Sequence, residues 1–333
     1  MQFVEMLSQG VFHDDILREA LLCRDEGQQM LFSLARDMRR NCFPDQRAQV
    51  RSVIEVSNVC RQKCNYCAIG GKDQSLTYTL DASIMKSLMV HLIEKGRKNI
   101  LLQSGENTNE DYIENVAEAV DFITKEYPQT RIILCLGNLA KRQYHMLREA
   151  GATDYILKFE ASNAELFAQC KPNDTLENRL QCIAYLDEEG FRIGSGNIVG
   201  LPRQSVEDLV SDLKLAHQLP LSMNSTTIFI PAENSKFANK PAGNPHLTLN
   251  MMALLRIMNP QRLMPTTSSL EKMIPDGQYL GLMAGANTVT IHDGTPPELE
   301  KYFPIYSAKR IRPQKEHFRD ILTRAGMETD NIN

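Results

Sequence analysis

RSVIEVSNVCRQKCNYC, residues 51–67, joins an apolar run to a loop that carries Cys60, Cys64 and Cys67 with no fourth cysteine beside them. The run reads as a short buried strand. A structural zinc takes four protein ligands, whereas a site with three keeps one coordination position open for chemistry. What surrounds the loop therefore decides between a structural clip and a reactive centre.

Working outward, further buried strands are predicted at 98–106, 131–138, 154–161, 192–201, 222–232, 262–270 and 286–293, which with 51–59 makes eight. Amphipathic stretches separate them. In DASIMKSLMVHLIEKG, Ile84, Leu88 and Leu92 recur every four residues and Gly96 supplies a helix stop. Eight βα units in series predict an α/β fold, a full (β/α)8 TIM barrel over residues 51–303. Residues 1–50 offer helical patterns and no strand, so they are expected to form an N-terminal helical cap on the bottom or side, and residues 304–333 a C-terminal helical tail. In such barrels the catalytic groups sit at the carboxyl ends of the strands, where the cysteine loop and the segments SGE, LGN, FEASN, GNIVGL, FIPA and TTSS all fall.

Composition sets bounds. The 333 residues include 37 Lys plus Arg against 41 Asp plus Glu, a net charge of −4, which gives no field for sequence-independent binding to a nucleic-acid backbone. No stretch has the length of an uninterrupted transmembrane helix, and the start lacks the pattern of a secretory signal, so a cytoplasmic protein without membrane contact is expected. Eight cysteines, unevenly spread, do not make a disulfide framework. A 4Fe-4S cluster held by three thiolates would leave one iron free to chelate the amino and carboxylate groups of a small molecule.

CRQKCNYC has the CxxxCxxC spacing of the radical S-adenosylmethionine (SAM) superfamily, with Tyr66 in the aromatic position before the last cysteine. With VIEVSNVCRQKCNYC, ILLQSGE, NRLQCIAYL, GSGNIVGLPRQSVEDLVSDL, MMALLRIMNPQRLMPTTSS and LMAGANTV, the chain resembles the group that contains biotin synthase, methylornithine synthase and the radical SAM maturases of [FeFe]-hydrogenase, the maturases most of all. The resemblance implies an enzyme whose 4Fe-4S cluster reduces SAM to methionine and a 5′-deoxyadenosyl radical, which attacks a small molecule in the barrel. It also implies an electron donor such as flavodoxin or ferredoxin.

Carried over residue by residue, it implies that Cys60, Cys64 and Cys67 hold the cluster. Glu106 would accept from the SAM ammonium, a charge-assisted pair, and Arg179 would grip the SAM carboxylate with its planar fork. Glu160 matches a contact to the ribose or the methionine end, and Lys158 stands where the maturases carry arginine. Backbone around Asn197 and Ile198, in the glycine-rich SGNIVG, would lie against adenine, although such glycines equally mark a bulge. Ser104, Cys135, Ser225, Thr266, Thr267, Ser269 and His292 are the candidate substrate contacts.

Departures from the relatives bear on the reaction. Biotin synthase has further cysteines on its barrel strands for a sulfur-donating cluster, whereas here Cys135 stands alone. Ser225 and Ser269 stand where methylornithine synthase has an arginine and an acid, which places an amino-acid mutase second, beside a radical lyase acting on a nucleoside-like substrate. Thr266 to Ser269 form a hydroxyl-rich run that would suit a neutral or anionic ligand, or simply cap a helix. The non-enzymatic alternative is a structural iron-sulfur or zinc protein.

Overall fold

The structure is a computed structural model that describes residues 2–69, 76–304, 313 and 315–329. Its strands are β1 (Gln49–Ser57), β2 (Asn99–Ser104), β3 (Arg131–Cys135), β4 (Asp154–Ile156), β5 (Arg192–Val199), β6 (Leu221–Ile228) and β7 (Thr288–Ile291). They form one curled parallel sheet in the order β6-β5-β4-β3-β2-β1-β7. Helices separate consecutive strands, as parallel pairing requires. Between β1 and β2 runs α4 (Ala82–Glu94), and α5 (Glu110–Glu126), α6 (Lys141–Glu149), α7 (Ala164–Cys170) with α8 (Leu176–Glu188), and α9 (Val206–Gln218) follow in turn. The main core lies between sheet and helices. A separate cluster of Val53, Leu101 and Ile133 from β1, β2 and β3 faces the other way, with Cys135 and Ile156 packed on it.

The expected strand at 262–270 is not a regular strand. Leu263 bridges Met223 of β6 and Pro265 bridges Thr288 of β7, as single parallel contacts. The reason is local: Pro265 has no N–H to give a ladder, and α11 (Ser268–Met273) begins three residues later. Side chains do part of the joining instead. Asn287 Oδ1 accepts from Met264 N at 2.8 Å, while the buried Arg256 donates to the carbonyls of Pro260, Arg262 and Gly285.

α4 shows a second correction. Its buried residues are Ala82, Met85, Met89 and Leu92, while Ile84 is 42% exposed. A strict repeat of four drifts around a helix of 3.6 residues per turn, so Ile84, Leu88 and Leu92 do not share one face. The ends follow expectation: Asp81 accepts from Ile84 N at the start, and Gly96 takes φ +80° just past the end.

α1 (Gln2–Ser8), α2 (Asp14–Leu22) and α3 (Asp25–Cys42) precede β1, and α2 and α3 pack against the side, on α10 (Pro245–Met258). Every residue of α10 from Thr248 to Met258 is buried, which fits a helix covered on both sides. Arg39 of α3 reaches the carbonyls of Leu282 and Ala286 at 2.7 and 2.9 Å, the first in α12 (Gly277–Met283) and the second just beyond it. α13 (Pro297–Glu300) follows β7, and α14 (Lys315–Arg324) packs on α12, so part of the expected tail is helical; residues 305–312, 314 and 330–333 lie outside the described residues.

The end of β2 rests directly on the cysteine loop. Gly105 N donates to Ser57 O at 2.9 Å and Arg61 N to Glu106 O at 2.9 Å. A Cβ on Gly105 would lie 2.4 Å from Val59 O and 2.7 Å from Cys60 Cβ. Glycine is thus required by contact with backbone, which cannot step aside as a flexible side chain would. Gly105→Ala is expected to lower the urea midpoint, at a cost of about 1–3 kcal/mol, and an unchanged midpoint would show that the loop moves away freely. For α4, Met89→Ala should destabilise by about 2–5 kcal/mol while Ile84→Ala stays within about 0.5 kcal/mol; urea denaturation of both variants distinguishes the two faces.

Candidate active site

A cavity of about 420 Å3 opens at the carboxyl ends of the strands. Its wall includes Cys60, Cys64 and Cys67 from the loop after β1, with Tyr66 between them. Ser104 and Glu106 reach it from the end of β2 and Cys135 from β3, Lys158 and Glu160 from beyond β4, and Arg179 from α8. Ile198 of β5, Ser225 of β6, the Thr266, Thr267 and Ser269 run and His292 after β7 complete the set. Asn197 is the exception. It points to the outer face of β5, where its Nδ2 donates to Asp212 Oδ2 of α9 at 2.8 Å. Alternation along a strand sends successive side chains to opposite faces, so Asn197 and Ile198 cannot both face the cavity.

Each of the three cysteine sulfurs accepts a hydrogen bond. Glu106 N points at Cys60 Sγ (3.3 Å), Lys171 Nζ at Cys64 Sγ (3.4 Å) and Ile69 N at Cys67 Sγ (3.4 Å). Such donors favour thiolate and tune a cluster's sulfurs. Burial pushes the Cys64 thiol up, with Lys171 opposing it. Among the described residues no three His, Cys, Asp or Glu side chains converge as they would on a single metal ion. Three thiols with N–H donors on their sulfurs are the donor set that a 4Fe-4S cluster takes, with one iron left open.

Glu106 is 4% exposed and already heavily engaged. Its Oε1 accepts from Arg61 Nε and Gln62 Nε2, both at 2.8 Å, and its Oε2 from Asn138 N at 2.9 Å, with Arg179 Nη2 3.8 Å away. A carboxylate has about four acceptor positions, so these bonds fix its direction and leave room for one more donor. Gly137, at φ +82°, lets the chain pass: a Cβ there would sit 2.6 Å from Glu106 Cγ.

Arg179 is buried, which removes the alternative of a surface helix arginine. Its Nη2 donates to Asp174 Oδ2 at 3.0 Å, and its Nε has no partner. Burial works against its charge, but Glu106 and Asp174 outweigh that and hold its pKa above the ordinary value. A buried guanidinium with an unpaired donor on a cavity wall suits an anionic group of a ligand, the role implied for a SAM carboxylate.

Glu160 adopts φ +64°, the left-handed region, directly after β4. Its carboxylate lies 3.1 Å from Lys158 Nζ and accepts from Tyr66 Oη at 3.2 Å. Lys158 Nζ also donates to Thr227 Oγ1 at 2.9 Å. Strain of this kind persists where the surroundings hold a residue in place, and here the backbone bonds Glu160 N to Gly196 O and Ile198 N to Glu160 O do so. The glycines of β5 serve the sheet: a Cβ on Gly196 would meet Ser225 O, and the register shifts between Ile193 and Gly194.

The remaining hydroxyls differ in availability. Thr266 donates to Gln278 O at 2.8 Å, so its proton is committed to the fold. Thr267 occupies the N-cap position of α11 without making a cap bond, and instead pairs with Ser269 Oγ at 2.8 Å. His292 Nδ1 lies 3.4 Å from the buried Glu55. Burial pushes the Cys135 thiol up to about 11, which keeps it neutral.

Several residues on the wall carry no motif. Gln62 orients Glu106, Lys171 reaches Cys64, and Asp174, behind the wall, anchors Arg179. Arg51 of β1 also faces the cavity, bonded to Gln49 Oε1 at 2.7 Å, with burial drawing its pKa down to about 10. Only the placement of Gln62 within the cysteine loop could have drawn attention from sequence.

Residues 54–216 match the family model described as the radical SAM superfamily. The chain is 33% identical over 312 residues to the [FeFe] hydrogenase maturase subunit HydE of Thermotoga maritima, covering 92% of this chain and 88% of that protein. It is 26% identical over 280 residues to 3-methylornithine synthase of Methanosarcina barkeri, covering 83% and 78%. The crystal structure of methylornithine synthase (PylB) superposes with a TM-score of 0.82 at 22% identity, over 99% of this chain and 98% of that one. With three thiols on a cavity at the strand ends and a relative this similar along nearly its whole length, the chain belongs to the radical SAM superfamily and is an enzyme of that class.

Proposed function

We propose that this chain cleaves SAM at a 4Fe-4S cluster held by Cys60, Cys64 and Cys67 and acts on a small molecule deeper in the same cavity, as a maturase of the HydE type. The superfamily's cofactors are a 4Fe-4S cluster and SAM. When bound, the cluster supplies one electron that splits SAM into methionine and a 5′-deoxyadenosyl radical. The observation that carries the reading is the gathering of the three thiols, Glu106, Glu160 and Arg179 on one cavity wall.

The protein's own groups would act by binding and orientation. Glu106, aimed by Arg61, Gln62 and Asn138, offers its remaining acceptor position to the SAM ammonium. Arg179, anchored through Nη2 by Asp174, offers its guanidinium to the carboxylate. Glu160, with Tyr66 and Lys158, holds the ribose or methionine end, and Ile198 gives an apolar surface for adenine. Ser104, Cys135, Ser225, the Thr267–Ser269 pair and His292 remain for the substrate. Ser225 and Ser269 supply no charge for an amino-acid zwitterion, which favours a maturase-like substrate over that of a methylornithine synthase. Cys135 is the one cavity cysteine left after the cluster, so a second, sulfur-donating cluster has too few ligands.

Radical SAM enzymes act on small molecules and need an electron donor; we assign that donor to the flavodoxin or ferredoxin class. Among the described residues no helix is long and apolar enough to cross a membrane, and all eight cysteines are free thiols, which suits a reducing cytoplasm. We read the bridges at Leu263 and Pro265 as the eighth position of a closed (β/α)8 barrel spanning 51–303, between a helical cap and a helical tail.

Anaerobic reconstitution tests the reading: about four irons and four sulfides per chain, an electron paramagnetic resonance signal that SAM perturbs, and 5′-deoxyadenosine on reduction. Zinc with no response to SAM would rule it out. Replacement of the Thermotoga HydE in an in vitro hydrogenase maturation assay tests the substrate class. Cys64→Ala is expected to abolish 5′-deoxyadenosine formation, measured by chromatography after dithionite reduction. Arg179→Lys keeps the charge but loses the fork, so SAM affinity should fall roughly tenfold, about 1.4 kcal/mol, with the cluster's visible absorption intact; equilibrium binding measures it.

A further inference from the structure

Lys171, already met as the donor to Cys64, has no carboxylate paired with its buried ammonium among the described residues, and the fold alone does not account for it. It is 5% exposed, lines the cavity, and has Cys64 Sγ, 3.4 Å from its Nζ, as its hydrogen-bond or ion-pair partner among the described residues. A buried ammonium ordinarily requires a carboxylate. Glu160, the acid on the same side, is taken by Lys158 at 3.1 Å, and Asp174 by Arg179 at 3.0 Å.

The backbone that carries the ammonium is also held in place. Lys171 N donates to Phe167 O at 2.8 Å at the end of α7, and Lys171 O accepts from Asp174 N at 3.0 Å. The cysteine loop is fastened to the same helix end: Asn65, next to Cys64, donates from its N to Cys170 O (2.8 Å) and from its Nδ2 to Gln169 O (2.6 Å). The thiol and the backbone that carries the ammonium are therefore tied to one short piece of chain, which keeps Lys171 within reach of Cys64.

We propose that Lys171 is a positioning residue for the electron-transfer step: a fixed buried cation that favours the reduced state of the cluster Cys64 holds, raising its midpoint potential. The inference rests on the cluster reading above. In the step concerned, a flavin or iron-sulfur donor loses one electron and the cluster gains it; no bond breaks and no proton moves. The site becomes more negative by one charge. A cation in hydrogen-bond contact with one of its sulfurs stabilises that extra charge, and burial keeps solvent from screening it. Water or a neutral donor at this position would stabilise that charge less, and an apolar side chain not at all.

The test is a potentiometric titration of reconstituted protein without SAM, followed by electron paramagnetic resonance, comparing wild type with Lys171→Met and Lys171→Arg. In Lys171→Met the ratio of reduced to oxidised cluster at the wild-type midpoint should fall roughly tenfold, about 59 mV for one electron, and Lys171→Arg should stay near wild type. Equal potentials in wild type and Lys171→Met would overturn the proposal, as would a lysine whose loss changes only SAM affinity. If Lys171→Met fails to retain its cluster, Lys171→Gln and Lys171→Arg decide: retention at the wild-type potential in the arginine variant alone supports a role for the charge, and loss in all three overturns it. Failure of wild type to bind a 4Fe-4S cluster removes the reading beneath the proposal, an outcome that iron and sulfide analysis separates from the rest.

Discussion

The contact between the end of β2 and the cysteine loop is the constraint on which the site depends. Three thiols on a loop have no fixed arrangement of their own. Here Gly105 lies against Val59 and Cys60 at a distance no side chain permits, and the next residue turns its amide to Cys60 and its carboxylate to Arg61 and Gln62. One dipeptide thus sets the position of a thiol and the direction of the acid that would face the ligand. Asn65 does the same on the other side, where it ties the loop to the end of α7.

Around that contact the charges are paired in a definite order. Glu106 and Asp174 surround Arg179, and Lys158 answers Glu160. Paired groups of this kind stabilise little by themselves, because desolvation offsets most of the attraction. Their effect is to hold a few donors and acceptors in fixed directions before anything binds, which removes reorganisation from the binding step.

The sequence made the strands legible because parallel strands are buried on both faces and appear as apolar runs. Where a proline interrupted such a run, at Pro265, the run persisted while the ladder did not. The phase of α4 was misread because an exact repeat of four is not a helical period, and the burial of Met85 and Met89 decides it. In the site, Cys60, Cys64, Cys67, Glu106 and Arg179 were visible through motif and resemblance. At Asn197 the expectation concerned the backbone, and the outward turn of its side chain toward Asp212 was not legible beside the glycines at 194 and 196. Lys171 and Asp174 were invisible for another reason. What Lys171 touches depends on how α7 meets a loop more than a hundred residues before it, and Asp174 draws Arg179 and Asn138 together only once α8 has packed beside the end of β3.

The seam at Leu263 to Thr266 gives the sheet the mechanics of a split collar. Elsewhere neighbouring strands pair directly, and here β6 and β7 are joined through the 263–266 segment by single bridges, backbone bonds such as Leu263 N to Ser222 O and Thr266 N to Thr288 O, and the bond from Met264 N to Asn287. Elastic deformation concentrates where the fewest backbone bonds resist it. A substrate that fills the cavity tightly would thus spread the collar beside Thr267 and Ser269, while the cysteine loop, with β7 between β1 and the seam, keeps its spacing through the bonds that tie it to the end of β2.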